Sequence, residues 1–202
     1  MSPWRPFLLH HLERAGKISG IANCHAEGVH SLMLHDEPEN RIRLFCTTPG
    51  HDLEHAEKTI GFHAHRTDIR LVPIAGVLRN IEPRLIRTGL GVNNILHECR
   101  YSSAVLGEQP RLVSTGAKFR YFYDEDMVLG PQGVWLPARQ LHTVAAMSAA
   151  TAWLVFEGKA AKKYDDRCYT PNLNWNTTGL YRPMKNYEVR AILQRAIDAS
   201  ER

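Results

Sequence analysis

Between residues 28 and 157 the chain is written in short runs rather than long periodic ones. "VHSLML", "RIRLFCT", "IGFHAH", "IRLVPIAGVLRNI", "YSSAVLG", "KFRYFYD", "GVWLPA", "HTVAAM" and "TAWLVFEG" follow one another, each closed by turn residues. Runs this short and this rich in β-branched and aromatic residues bury themselves by lateral pairing, which predicts an antiparallel sandwich or barrel. The polar "HDEPEN" between the first two predicts a hairpin. Gly76 interrupts an otherwise apolar run, which predicts a bend or tight turn between two strands. "TGLGVNNILHECR" reads as holding a helical turn.

The two ends differ in texture. Pro3 to Ala15 reads as a helix, with Ser2 as its cap, Pro3 in its first turn and Gly16 as its stop. Phe7, Leu8 and Leu12 form its apolar stripe. "NYEVRAILQRAIDAS" places Val189, Ile192, Leu193, Ala196 and Ile197 on one helical face, with Asn186 as cap and Glu188 in the first turn. This helix is expected to pack outside the β-structure, a dimer contact being the competing use. Residues 159–185 show no periodicity and read as an arm over one end of the sheet. The expected organisation is one domain, 1–202. It comprises a β unit at 28–157, and an arm and helix at 158–202.

Composition removes several classes of function. Hydrophobic residues make up 44% of the 202, enough for a core without disulfide staples. Cys24, Cys46, Cys99 and Cys168 are widely separated and form no C-x-x-C pair, so reduced thiols and a cytoplasmic location are expected. No run approaches the roughly eighteen apolar residues a membrane span needs, and the apolar patch near the N-terminus is too short for a secretory signal. The net charge of +4 is dispersed rather than striped, which argues against a nucleic-acid partner and admits an anionic small molecule.

The chemistry concentrates in "GFHAHRTD", residues 61–68, and "LPARQLH", ending at His142. On a strand, residues i and i+2 share a face, so His63 and His65 can reach one ion. Asp68 follows across a turn as an oxygen ligand, and His142 is the best distant partner. Such a set suits Fe(II), Mn(II), Ni(II) or Zn(II) with positions left for a small-molecule substrate. The same residues also read as ordinary polar histidines and a turn aspartate. "HDLEH" offers a rival pair, His51 and His55, on a short polar segment. His25, His30, His35 and His97 have no partner at ligand spacing. Alternation in "KFRYFYDED" puts Phe119, Tyr121 and Tyr123 on one face, either as core or with Tyr121 lining a pocket as acid or substrate anchor. Arg70 and Arg79 are candidates to hold a substrate carboxylate or phosphate, or are surface residues.

Taken together, His63-x-His65, Gly76, Gly133, Pro137 and His142 resemble the two motifs of the cupin superfamily. The first motif is a glycine, His-x-His, a glutamate and a glycine. The second is a glycine, Pro-x-Gly and a histidine. The resemblance covers roughly residues 28–157. It departs where the opening glycine would fall on Glu57, where the glutamate would fall on Ile69 or Arg70, and where Arg139 replaces the second motif's glycine. It implies a mainly β fold, a single double-stranded β-helix or jelly-roll barrel, here with N- and C-terminal helices. It also implies a divalent metal held by His63, His65 and His142, with Asp68 or no carboxylate completing the set. Fe2+ with a dioxygenase-like reaction is the first expectation. A non-redox sugar isomerase or epimerase and a non-catalytic small-ligand sensor are the alternatives. Pairing into a homodimer through terminal strands is expected as well.

Overall fold

The computed structural model describes residues 2–48, 61–87, 95–102, 111–148, 150–160, 167–170 and 181–201, with backbone alone at 101–102, 111–112 and 123–124. "HDLEH" and the side chain of Tyr123 lie outside the described residues.

The chain is mainly β with a helix at each end. Helix α1 (Arg5–Glu13) starts after Trp4, whose amide bonds the Ser2 hydroxyl, and Pro6 rather than Pro3 occupies its first turn. It does not stop at Gly16, which lies within a short 3-10 turn over Ala15–Lys17. Strands β1 (Ser19–Ala22), β2 (Val29–Glu37) and β3 (Asn40–Thr47) follow. The predicted hairpin is present and tighter than expected. Glu37 pairs with Asn40, so only Pro38 and Glu39 turn the chain. Next come β4 (Phe62–His63), β5 (Thr67–Ala75), β6 (Leu78–Arg87), β7 (Ile95–Ser102), β8 (Arg111–Val128), β9 (Val134–Leu136), β10 (Thr143–Ala146) and β11 (Ala152–Ala160). The chain ends with β12 (Arg167–Thr170), β13 (Arg182–Pro183) and α2 (Asn186–Ser200). Of the segment expected to hold a helical turn, residues 88–94 lie outside the described residues and the rest, from Ile95 onward, is strand β7.

The strands form two sheets. The larger runs β13-β1-β2-β3-β11-β5-β9 and the smaller β10-β6-β8-β7-β12-β4. No closed sheet is present among the described residues, so the β-rich fold is shown and the expected single closed barrel is not. Gly76 is where β5 of one layer hands over to β6 of the other, at φ +71°. The segment expected to be an arm instead supplies β12, an interior strand of the smaller sheet, and β13, an edge strand of the larger.

The larger sheet is covered on both faces, which explains its continuous apolar runs. On one face Leu32, Leu44, Val72 and Leu154 pack under α1 and α2 through Leu8, Val189, Ile192, Leu193 and Ala196. On the other, Phe45, Ile69, Leu71, Trp153 and Val155 meet Leu78, Leu136 and Ala146. Phe45 and Trp153 stack there at 5.3 Å. Helix α2 thus spends its predicted apolar face on the sheet and α1. Its N-terminus is closed by Glu188, whose carboxylate accepts from the Lys185 amide at 2.8 Å. Arg182 is the main cause that holds the Glu188 carboxyl down to about 2. No helix among the described residues is long and apolar enough to cross a membrane. The four cysteines are buried, with burial pushing the Cys24 thiol up to about 12 and Cys46 to about 11.

Gly133 lets β9 lie against β5. Its φ is +68°, and a Cβ there would stand 1.8 Å from the Leu71 carbonyl oxygen. Gly116 has a similar φ of +80° with nothing within 4 Å. Gly116→Ala should therefore cost about 1 kcal/mol for the backbone alone, and Gly133→Ala at least about 1–3 kcal/mol more for the overlap. Urea unfolding of the two variants side by side checks this; equal losses would show that the close approach does not constrain β9.

Candidate metal centre

The two histidine segments meet because their backbones pair. His63 and His142 form an isolated antiparallel bridge, each amide donating to the other's carbonyl at 3.0 Å. The Arg139 amide adds a bond to the His65 carbonyl at 3.2 Å. Residues directly opposite on antiparallel strands share a face, and His65 shares that face with His63 by the strand period. The bridge joins β4 to the residue that leads into β10, so the two edges of the smaller sheet touch at this one pair.

The approach to His142 is a turn closed by Gln140 N–H donating to the Pro137 carbonyl at 3.0 Å. Its third residue, Arg139, has φ +73°. That position of a type II turn favours glycine, which is where the resembled motif carries one. Asp68 accepts a hydrogen bond from the Ala138 amide at 2.6 Å. It braces this turn from outside rather than facing the imidazoles.

The three rings sit 5.0 to 5.2 Å apart, centre to centre. One ligand atom from each of His63, His65 and His142 lies within 4.8 Å of the other two. Among the described residues no acid joins this group. His63 Nδ1 donates to the Gly61 carbonyl at 3.2 Å, and His142 Nδ1 to Asn80 Oδ1 at 2.9 Å, which leaves both Nε2 atoms free to act as ligands. His65 Nε2 and His142 Nε2 stand 2.8 Å apart. Two nitrogens each about 2.1 Å from one ion and about 90° apart would be separated by about 3 Å. The donor set could hold a divalent transition metal: one nitrogen from each of three imidazoles lies within 4.8 Å of the other two.

A fourth histidine is present that spacing did not reveal. His25 lies in the tight connection between β1 and β2, at φ +68°, with its ring stacked on His63 at 5.0 Å. Its Nδ1 and the Tyr181 hydroxyl are 2.8 Å apart. Tyr181 comes from the far end of the chain, just before β13, also at positive φ. Two strained residues in contact beside the three rings form a wall of the site. No sequence period links 25, 63 and 181.

The other expected site residues lie elsewhere. Arg70 is on the outer face of the larger sheet, donating to the Gln132 carbonyl and stacking on Trp135. Arg79 is ion-paired to Asp126. Tyr121 packs against Phe62, at 5.6 Å between rings, within an apolar cluster that includes Ile81, Leu96 and Tyr169. Phe62 precedes His63 on the same strand, so that cluster occupies the opposite side of the sheet from the imidazoles.

No protein-family model and no curated protein matches the chain. Solved structures do. A cupin superfamily protein from Desulfitobacterium hafniense is 13% identical over 65% of this chain and 77% of its own, with a TM-score of 0.35. A cupin domain from Bordetella pertussis is 15% identical over 66% of this chain and 95% of its own, with a TM-score of 0.36. Both are likenesses in outline, and neither brings an activity to this chain.

Burial sets the protonation of the site. It lowers His63, and with His63 and Arg43 adding to it pushes His65 down to about 3. Burial is also the first cause that holds His142 and His25 well below the usual imidazole range, with the neighbouring rings reinforcing it. Below about pH 6.5 the unfolded chain therefore binds more protons at these positions than the metal-free folded protein. Stability is full above that pH and is lost as pH falls, by up to about 1.4 kcal/mol per pH unit for a group as buried as His142. Urea unfolding of metal-free protein at about pH 7 and about pH 5.5 should show this decline, and His142→Asn should flatten it. A pH-independent stability would show that the rings are not held neutral.

Proposed function

We propose that this protein is a metal-dependent enzyme of the cupin type acting on a small polar molecule. The observation that carries the reading is the convergence of one ring nitrogen from each of His63, His65 and His142, with no carboxylate among them in the described residues. Three neutral imidazoles brought together, His142 buried and His63 and His65 half-buried, lose hydration and are poor core packing. They are good ligands for Fe2+, Mn2+, Ni2+ or Zn2+. Fe2+ is the metal we favour and a dioxygenase-type oxidation the reaction; bound there, iron supplies a redox centre and a template for substrate.

The chain's own residues do the rest. His63 and His142 are aimed by Nδ1–H bonds to Gly61 and Asn80. The pair His25 and Tyr181 walls the site and brings a phenol hydroxyl near it. A donor set without charge leaves the ion's positive charge uncompensated, which favours a substrate that binds through an anionic oxygen.

Elemental analysis of untagged wild type beside His63→Ala and His142→Ala tests the ligand set. About one ion per chain is expected in the wild type, and little in either variant. Equal content in all three would remove the proposed ligands. Iron-loaded protein should consume O2 with the right substrate; carbonyl turnover with a redox-silent metal would instead support an isomerase.

A further inference from the structure

Asn80 lies on β6, is 1% exposed, and is among the largest fully buried side chains in the protein. A buried asparagine must satisfy both ends of its amide. Its oxygen faces His142 Nδ1 at 2.9 Å, and its nitrogen faces Glu82 Oε1 at 3.0 Å. The other Glu82 oxygen accepts from Gln140 Nε2 at 2.8 Å. A carboxylate oxygen only accepts, so the Asn80 NH2 must point at Glu82 and its carbonyl oxygen at His142. That oxygen also only accepts, so the proton on His142 must sit on Nδ1. The lone pair is then on Nε2, the atom that faces His65.

From this chain we infer that Asn80 is a positioning residue. It fixes His142 in the tautomer whose Nε2 is a ligand, and Glu82 and Gln140 lock the amide that does so. The inference rests on the metal-binding reading for its purpose but not for its geometry. Gln140 belongs to the turn that delivers His142, so one network sets both where the ring is and which nitrogen it offers. The same logic assigns the remaining rings in metal-free protein. His63 carries its proton on Nδ1, toward Gly61, and His65 carries its own on Nε2, donating to His142 Nε2.

Three variants separate positioning from space filling. Asn80→Leu keeps the volume and removes the acceptor. Glu82→Gln frees the amide to turn. The exchange Asn80→Asp with Glu82→Gln swaps carboxylate and amide, so that residue 80 still accepts from His142 and residue 82 can donate to it. Long-range proton–nitrogen NMR on histidine-labelled, metal-free protein reads the tautomer directly, and Zn2+ competition against a chromophoric chelator reads affinity. The wild type should show His142 protonated on Nδ1. Asn80→Leu should lose that signature and bind Zn2+ about 10- to 100-fold more weakly, and the exchange should restore both. His142 protonated on Nε2 in the wild type overturns the inference whatever the variants do, as does an Asn80→Leu protein with unchanged tautomer and affinity. A wild type with the expected tautomer that binds no metal would instead leave the positioning intact and sink the metal-binding reading.

Discussion

The site depends on two reciprocal hydrogen bonds, His63 amide to His142 carbonyl and back, each 3.0 Å. They join residues seventy-nine positions apart in number, at the edges of one sheet, and place both rings on one face. Everything that shapes the site supports this contact. Asp68 and the positive-φ Arg139 hold the turn behind His142, and β12 flanks β4 so that Cys168 pairs with His63 from the other side. A side chain in such a row has little rotational choice, since its backbone is fixed from both sides. The rings therefore converge before any ligand arrives.

Convergence alone would give four crowded rings competing for protons. The hydrogen bonds from Nδ1 and the loss of hydration combine to prevent that. Burial disfavours the imidazolium form, and neighbouring rings disfavour it further. The outcome is an array of neutral rings, with the His142 Nε2 lone pair turned toward His65. In a site meant only for packing, apolar residues of similar volume would satisfy the same space at less cost.

Much of this was legible in the chain. The apolar period of α2 named all five of its buried positions, because an amphipathic face is a local pattern. The strand-like runs, the Gly76 turn and the pairing of 63, 65 and 142 were also readable, since strand period and turn chemistry are short-range. What failed was long-range. β12 sits in a stretch with no periodicity of its own and is a strand only because β7 and β4 pair with it. His25 and Tyr181 meet across most of the sequence, through positive-φ backbones that composition does not announce. Tyr121 was assigned correctly to an alternating strand, but alternation tells which residues share a face and not which face looks at the site.

The departures from the cupin motifs become coherent when read on the strand. The motif's acid would fall on residue 69 or 70. Residue 69 does point inward, but it is a fully buried isoleucine packed with Leu71 and Trp153. Asp68 is one position earlier, and on a strand one position is the other face. There it can only serve the turn that carries His142. Where the motif carries a glycine this chain has Arg139, which adopts the left-handed backbone at a conformational cost, and the Asp68 bond to the neighbouring amide helps hold it. On this strand the acid stands outside the sheet and braces the turn that leads to His142, and among the described residues no carboxylate joins the three imidazoles that could hold a metal.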